Sequence, residues 1–144
     1  MLLLMAGYSG TPLAKKLGYK PGQRAYVDGG PEDYAQMLQP LPDDVTFVPR
    51  PTGKLDLIHV FTTDAVKLAA KLEKYLHNLV PDGMIWVSWP KKASKVPTDV
   101  TEDVVRALAL PLGLVDVKVC AVDDTWSGLK LVIRIENRPR KEKS

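Results

Sequence analysis

The sequence predicts an α/β fold of three layers, in which a mostly parallel sheet of about six strands ends in a C-terminal antiparallel hairpin. Three observations predict this class. Short apolar runs typical of buried strands alternate with helical patterns as far as residue 113. Two runs of alternating apolar and polar residues then follow. The 144 residues are 45% hydrophobic and 26% charged, as in an ordinary globular protein. We therefore expect a single domain over residues 1–137.

Four elements are predicted before residue 49. The first is a short helix between Thr11, which can cap it, and Gly18, which suits the left-handed residue past its end. Strand Arg24–Asp28, helix Glu32–Leu38 and strand Val45–Val48 follow.

Two apolar runs, Leu55–Phe61 and Met84–Trp89, are typical of strands buried on both faces of a parallel sheet. The connection before the first run, Pro49–Lys54, is rich in proline and short. A parallel crossover usually needs about a dozen residues. An extended segment, at about 3.1 Å per residue, could just cross the sheet. Otherwise strand Val45–Val48 pairs elsewhere or runs antiparallel.

Two longer helices are predicted, Asp64–Leu79 and a last helix from about Asp99 to Leu112. Thr62 or Thr63 can cap the first of them. Residues at three- and four-residue spacing define the faces that we expect to point inward. These residues are Val66, Ala69, Leu72, Leu76 and Leu79 in the first helix and Val100, Val104, Ala107 and Leu108 in the second.

The last two runs predict a hairpin at an edge of the sheet, with a turn that begins at Asp123 and Asp124. Apolar residues alternate with mostly polar ones along both strands. They are Val115, Val117, Val119 and Ala121 in the first strand and Leu129, Leu131, Ile133 and Ile135 in the second. Residues 138–144 are expected to form a basic, disordered tail.

The net positive charge lies in that tail, because the chain before Arg138 carries equal numbers of basic and acidic residues. A neutral body lacks the basic face of a nucleic-acid-binding domain. The apolar opening Met1–Met5 is too short for a signal peptide or a membrane span and predicts a short arm. We therefore expect a cytoplasmic protein without a nucleic-acid or membrane partner. The lone Cys120 excludes an internal disulfide.

No catalytic or metal-binding spacing is present in the sequence. His59 lies within a predicted buried strand, where a hydrogen-bonded core histidine is the commoner role, and His77 is expected at the surface. Trp86 and Trp89 point to opposite faces of one strand, which favours core packing over a stacking platform. We therefore predict neither catalytic residues nor a metal site.

Three segments resemble a family of small bacterial proteins that has no assigned function. They are AGYSGTPLAKKLG at 6–18, WVSWPKK at 86–92 and DTWSGLK at 124–130. The likeness extends over nearly the whole chain and implies no activity.

Residues 20–30, KPGQRAYVDGG, are similar to the first strand and glycine turn of class I S-adenosylmethionine-dependent methyltransferases. Asp56 at the start of a buried strand, the segment 79–83 and the closing hairpin are similar as well. The resemblance implies a trimmed, Rossmann-like methyltransferase sheet. Named by their first residues, its strands would run Val45, Arg24, Leu55, Met84 and then the hairpin.

The sequence departs from the methyltransferase pattern at two places. Pro31, which has no amide donor, stands where a further glycine normally lets the backbone approach the cofactor. No acidic residue follows strand Val45–Val48 to hold the ribose hydroxyls, and Arg50 has the opposite charge.

Open parallel sheets bind ligands beyond the carboxyl ends of their strands, where the strand order reverses. This rule selects eight candidate ligand-binding residues: Asp28, Gly29, Gly30, Thr62, Thr63, Trp89, Lys91 and Lys92. One hypothesis is an anion site formed by the lysines and by free amides at the helix starts near Glu32 and Asp64. The other, which we favour, is that Asp28 and Thr62 cap helices and that the lysines form a solvated loop.

These features favour a non-catalytic binding or interaction module that has kept a methyltransferase-like fold and lost its cofactor pocket, so we expect no cofactor. The partner would be a small anionic ligand or another protein. The alternative is a small transferase that binds S-adenosylmethionine or another nucleotide-like ligand at the same crevice. A third hypothesis is a homo-oligomer that assembles through the exposed edge of the hairpin.

Overall fold

The computed structural model of the chain describes residues 11–138. The predicted arm Met1–Met5 and the tail beyond Arg138 lie outside the described residues. Within the described part, six strands form one mixed sheet with helices on both faces, which confirms the predicted fold class. In residues 11–138 no helix is long and apolar enough to cross a bilayer.

The sheet combines four parallel strands with an antiparallel hairpin. Its strands are β1 (Arg24–Asp28), β2 (Thr46–Phe47), β3 (Leu55–Phe61), β4 (Leu79–Pro90), β5 (Leu114–Ala121) and β6 (Trp126–Ile133). Across the sheet they follow the order β2-β1-β3-β4-β6-β5. β1 to β4 run parallel, whereas β6 runs antiparallel to both β4 and β5. This is the order that the methyltransferase resemblance implies.

Two pairs of helices cover the sheet. The helices are α1 (Leu13–Leu17), α2 (Tyr34–Met37), α3 (Ala65–Leu76) and α4 (Glu102–Ala109). Three short 3-10 turns accompany them at Lys92–Ser94, Leu110–Leu112 and Ile135–Asn137. α1 and α2 pack on one face of the sheet, and α3 and α4 pack on the other. The result is the predicted arrangement of three layers.

The short connection between β2 and β3 is explained by the brevity of β2. β2 pairs parallel with only the first two residues of β1, so the chain has to return only a short way before β3 begins. Residues 48–54 make this crossing, and the Arg24 guanidinium donates hydrogen bonds to the carbonyls of Thr52 and Lys54. The parallel alternative is therefore correct, and β2 occupies an edge of the sheet.

The two shortest helices differ from their predicted limits. α1 begins at Leu13, and Pro12 rather than Thr11 stands at its N-cap position. Gly18 ends the helix with φ 92°, as predicted. α2 has only four residues and follows Asp33 at its N-cap.

The buried face of α3 differs from the predicted one. Asp64, rather than Thr62 or Thr63, caps the helix by accepting a hydrogen bond from the Lys67 amide. The buried residues are Leu68, Leu72 and Tyr75, whereas Val66 is 80% exposed. The face of the helix that carries Tyr75 packs on the sheet, because the Tyr75 hydroxyl donates a hydrogen bond to Asp28 of β1. The helix also ends at Leu76, and Leu79 already belongs to β4.

α4 is shorter than predicted and is rotated. Thr101 caps it through the Val104 amide, and the helix gives way to a 3-10 turn that contains Pro111. Val105 and Ala109 are buried against the sheet, and Ala107 is exposed, so the prediction that Ala107 points inward is wrong. Two further residues of the predicted face, Val104 and Leu108, are half-buried.

The hairpin is confirmed, but the alternation along β5 reverses. The register between β5 and β6 shifts at Val117, so this residue is an extra one in the ladder. As a result Val119 lies exposed, whereas Cys120 is buried. β6 lies between β4 and β5, so the exposed edge of the hairpin is β5 alone. Ile135 lies outside β6, in a 3-10 turn, and is 78% exposed.

Candidate functional site

The turn after β1 is packed against the end of β3. Gly29 has φ 74°, and a Cβ on it would lie 3.1 Å from the carbonyl oxygen of Phe61. A Cβ on Gly30 would lie 2.8 Å from Cγ1 of Val27 and 3.4 Å from the Phe61 ring. We call Gly29, Gly30 and Phe61 the glycine corner. Contacts within the chain therefore suffice to explain both glycines.

Aromatic rings fill the space around Phe61. This residue is 5% exposed, and its ring lies edge-on to Tyr34 and Trp126, with centroids 5.7 and 5.1 Å away. On its third side it stacks on the His59 ring at 4.2 Å. Such contacts stabilise a core beyond the area that they bury. Phe61 is thus part of the hydrophobic core between the sheet and α1 and α2, and the half-buried Gly30 packs against it, whereas Gly29 is exposed.

A buried chain of hydrogen bonds runs beneath the corner. The Tyr19 and Tyr34 hydroxyls are 2.8 Å apart, and the Tyr34 hydroxyl lies 2.8 Å from His59 Nδ1. His59 Nε2 lies 2.7 Å from Ser88 Oγ. Burial lowers the pKa of His59 to about 3, so its imidazole is neutral. The predicted hydrogen-bonded core histidine is confirmed.

Ser88 and His59, which belong to this series of hydrogen bonds, cannot contact a substrate, because both side chains are fully buried. The pairing could not be predicted from the sequence, since Ser88 lies on another strand and Tyr34 on a helix. A nucleophilic serine has to reach solvent. The pair is therefore part of a buried structural network.

Asp28 is held by α3. Its Oδ2 accepts a hydrogen bond of 2.6 Å from the Tyr75 hydroxyl and lies 3.0 Å from Nζ of Lys71. Burial, and then the hydrogen bond to Asp28, raise the pKa of Tyr75. The expectation that Asp28 caps a helix is wrong, because its carboxylate ties β1 to the middle of α3 instead.

The amides at the start of α3 also have partners. Asp64 accepts from the Lys67 amide, and Asp99 Oδ1 accepts from the Ala65 amide at 2.8 Å. Thr62 Oγ1 accepts a hydrogen bond from the Asp64 amide, and the Thr63 carbonyl accepts one from the backbone amide of Asp99. Two carboxylates thus stand where the anion hypothesis needs a free, positive helix end. With four residues, α2 is too short to supply one.

The remaining candidates line an open cavity of about 400 Å³ at the carboxyl end of β4. Its lining residues are Trp89, Pro90, Lys91, Lys92, Lys95, Val96, Pro97, Thr98, Val100 and Thr101. We call this cavity the Trp89 pocket. Three of the eight candidate residues therefore meet there, whereas the other five lie at the ends of β1 and β3.

The lysines of the Trp89 pocket have no carboxylate partner within residues 11–138. Lys91 Nζ donates to the carbonyl of Asp123 at 2.7 Å, and Lys92 and Lys95 are exposed. Lys95 has φ 61°, a left-handed conformation that glycine adopts more easily. Sequence reasoning missed Lys95, although the PKKASK run marked the loop.

A larger cavity of about 470 Å³ lies on the other side of Lys91. Lys16 and Lys91 supply two positive charges to its lining, and Asp123 and Asp124 supply two negative charges. Asp123 Oδ1 accepts from the amides of Thr125 and Trp126, which confirms the predicted turn. The balanced charge gives this cavity no preference for an anion. Among the described residues no group of three or more metal-ligating side chains occurs.

The region around the corner lacks an acidic group that the methyltransferase resemblance implies for S-adenosylmethionine. The Phe61 ring packs against Gly30, whereas Gly29 is exposed. At the end of β2, Phe47 packs on Tyr19, and the exposed Arg50 follows it. Neither β2 nor residues 48–51 offer a carboxylate for a ribose.

No protein-family model matches this chain, and no curated protein matches it either. Solved structures with the same fold do exist. A methyltransferase from Pyrococcus furiosus has a TM-score of 0.58 at 14% identity, covering 85% of this chain and 81% of that one. A SAM-dependent methyltransferase from Aquifex aeolicus has a TM-score of 0.58 at 16% identity, covering 84% and 88%.

A ribosomal protein L11 methylase from Lactobacillus delbrueckii subsp. bulgaricus is similar as well, with a TM-score of 0.53 at 14% identity, covering 85% and 75%. The chain therefore has a methyltransferase-like fold. At such low identities the likeness extends to the fold alone. The resemblance to small bacterial proteins of unassigned function stays a prediction.

Proposed function

We propose that this protein is a non-catalytic module that binds a small anionic ligand in the Trp89 pocket. The observation that carries this proposal is unpaired positive charge beside an apolar wall. Lys92 and Lys95 project from the loop after β4 without an acidic partner in the described chain. Trp89, only 8% exposed, lines the same cavity. Concave sites of this kind combine apolar walls with a few charged groups.

The two acidic side chains nearest to the pocket in sequence form no ion pair with its lysines. Asp99 accepts from the Ala65 amide, and Glu102 forms an ion pair with Arg106. The positive charge of the lysines therefore faces the cavity, where it favours phosphate or carboxylate groups. Lys95 keeps a left-handed backbone that a glycine would adopt without strain. Backbone strain of this kind occurs often at ligand-binding residues.

The second candidate function is the small transferase, and the methyltransferase-like fold is the observation that favours it. Against it stand the filled glycine corner and the absence of an acid after β2. Both features concern the crevice where a fold of this type would hold a nucleotide-like ligand.

Calorimetric titration of the full chain with tripolyphosphate, S-adenosylmethionine and S-adenosylhomocysteine separates the two functions. We expect tripolyphosphate to bind and the two adenosine compounds not to bind. The double variant Lys92→Gln/Lys95→Gln should weaken tripolyphosphate binding about tenfold, because two charge-assisted contacts are lost. The matched control is Lys67→Gln/Lys74→Gln, which removes two exposed lysines of α3 and should bind like the wild type.

Two results would overturn the proposal. The first is a tripolyphosphate affinity that is undetectable or that the pocket variant leaves unchanged. The second is saturable binding of S-adenosylmethionine that Gly29→Val abolishes, which would establish the transferase alternative in its place.

A further inference from the structure

The hairpin places two lysines directly opposite each other. Lys118 of β5 and Lys130 of β6 are register partners in the antiparallel ladder, so both side chains leave the same face of the sheet. It is the face that carries α1, because Cys120 and Val132, two residues further along each strand, belong to the core beneath α1. Like charges in this position destabilise a hairpin.

The charges of two further lysines, Lys20 and Lys16, act on Lys130 and on its neighbour Cys120. Burial lowers the pKa of Lys130, and the positive charges of Lys118 and Lys20 lower it further. Next to them, burial raises the pKa of the Cys120 thiol, and Lys16 and Lys118 oppose that rise. We call Lys16, Lys20, Lys118 and Lys130 the lysine cluster. It joins α1 and the segment after it to the exposed edge of the sheet.

Within the described chain the lysine cluster has no ion-pair partner, although Asp123 and Asp124 share the lining of the larger cavity with Lys16. None of its four members forms an ion pair with a carboxylate of residues 11–138. Asp116, the acidic residue of β5, accepts from Arg106 of α4 and so lies on the opposite face. The fold therefore retains a concentration of like charge that costs stability.

We infer that the lysine cluster is a docking surface for an acidic segment of a partner protein. Carboxylates that enter from a partner would relieve the repulsion between Lys118 and Lys130 and pair with all four lysines.

The same observations disfavour two other occupants. A second copy of the chain would meet this surface with the same surface, since a two-fold interface is self-complementary, and would set lysines against lysines. Nucleic acid binds through many phosphate contacts along a basic face. Here the cluster is compact and contains no arginine, and the chain before Arg138 carries no net charge.

The test measures the fluorescence anisotropy of a labelled oligoglutamate peptide with the full chain. We expect saturable binding that falls about tenfold in Lys118→Gln/Lys130→Gln, because two ion pairs are lost. The control Lys67→Gln/Lys74→Gln removes the same charge from α3 and should leave the affinity unchanged. In urea, Lys118→Gln/Lys130→Gln should unfold at the same or a higher concentration than the wild type, since repulsion has been removed.

Three outcomes would overturn the inference. One is peptide binding that both double variants weaken equally, which indicates net charge alone. Another is an oligothymidylate of equal charge that binds at least as tightly as the peptide. The third is a dimer, seen by sedimentation, that Lys118→Gln/Lys130→Gln alters. The tripolyphosphate titration of the Trp89 pocket should not respond to the hairpin variant, so the two proposals can fail independently.

Discussion

The glycine corner and the Trp89 pocket both lie at the carboxyl ends of the parallel strands, yet they differ in whether their side chains have partners within the chain. Rings fill the corner, and its neighbour Asp28 is held by Tyr75 and Lys71. In the pocket, Lys92 and Lys95 face open space. The comparison teaches that a glycine pair after a strand can reflect packing within the chain, and that unpaired charge beside a cavity is the observation on which our ligand proposal rests.

The largest expected effect tests whether the corner is core. Phe61→Ala should lower the free energy of unfolding by about 3–5 kcal/mol, because it leaves a cavity among three aromatic rings. Urea denaturation measures this. Val66→Ala is the control, since Val66 is 80% exposed, and it should change stability by less than about 0.5 kcal/mol. A small loss for Phe61→Ala would mean that the corner is loosely filled and could admit a ligand.

The second effect concerns pH. The pKa of His59 is lowered to about 3, whereas an unfolded histidine titrates near 6.5. Between these values the unfolded chain binds the extra proton, so stability falls as the pH falls. From pH 7 to pH 5 this loss is about 2 kcal/mol.

Urea midpoints across this range should show that slope in the wild type and in His77→Gln, which alters an exposed histidine. His59→Asn should lose most of the slope. A wild-type midpoint that stays constant would show that water reaches the imidazole, and the contrast between a closed corner and an open pocket would weaken.

The third effect separates backbone strain from contact at the corner. Gly29→Ala should destabilise the fold by about 2 kcal/mol, through its φ of 74° and the 3.1 Å approach to the Phe61 carbonyl. Gly22 has φ 78°, but a Cβ there would meet nothing within 4 Å. Gly22→Ala should therefore cost only the backbone part, about 1 kcal/mol. Equal losses in thermal melts of the two variants would show that Phe61 does not press on the turn.

The smallest effect tests the pocket. Lys95→Gly should leave the free energy of unfolding unchanged or raise it by up to about 1 kcal/mol, because glycine adopts the left-handed conformation more easily. The same variant should weaken tripolyphosphate binding several-fold. Asp44→Gly is the matched control, since Asp44 also has φ 61° and lies outside the pocket lining. If both variants bind tripolyphosphate equally well, Lys95 does not belong to the site.

The alternation of apolar runs with helical patterns allowed the layers to be predicted, because runs that are apolar on both sides indicate strands covered on both faces. The strand order was implied by the resemblance to methyltransferases. The sequence also placed His59 in the core. The faces of α3 and α4 were predicted less well. Residue spacing alone could not show that Tyr75, rather than Val66, faces the sheet. The hydrogen bond from Tyr75 to Asp28 that holds this face joins residues 47 positions apart in the chain. The exposed Val119 escaped prediction for a related reason, because the extra residue at Val117 is defined only against β6.

The order of apolar runs and helical patterns thus predicted an α/β sheet with a hairpin at its edge, and the resemblance to methyltransferases implied its trimmed form. Tertiary structure alone decided where the eight candidate residues lie. At the ends of β1 and β3 it buried Thr62, tied Asp28 and Thr63 to neighbouring elements and set the Gly29–Gly30 turn against Phe61. It gathered Trp89, Lys91 and Lys92 around one cavity with Lys95. The physical reason is that local sequence sets hydrophobic periodicity, whereas the partner of a charge is set by segments far away in the chain.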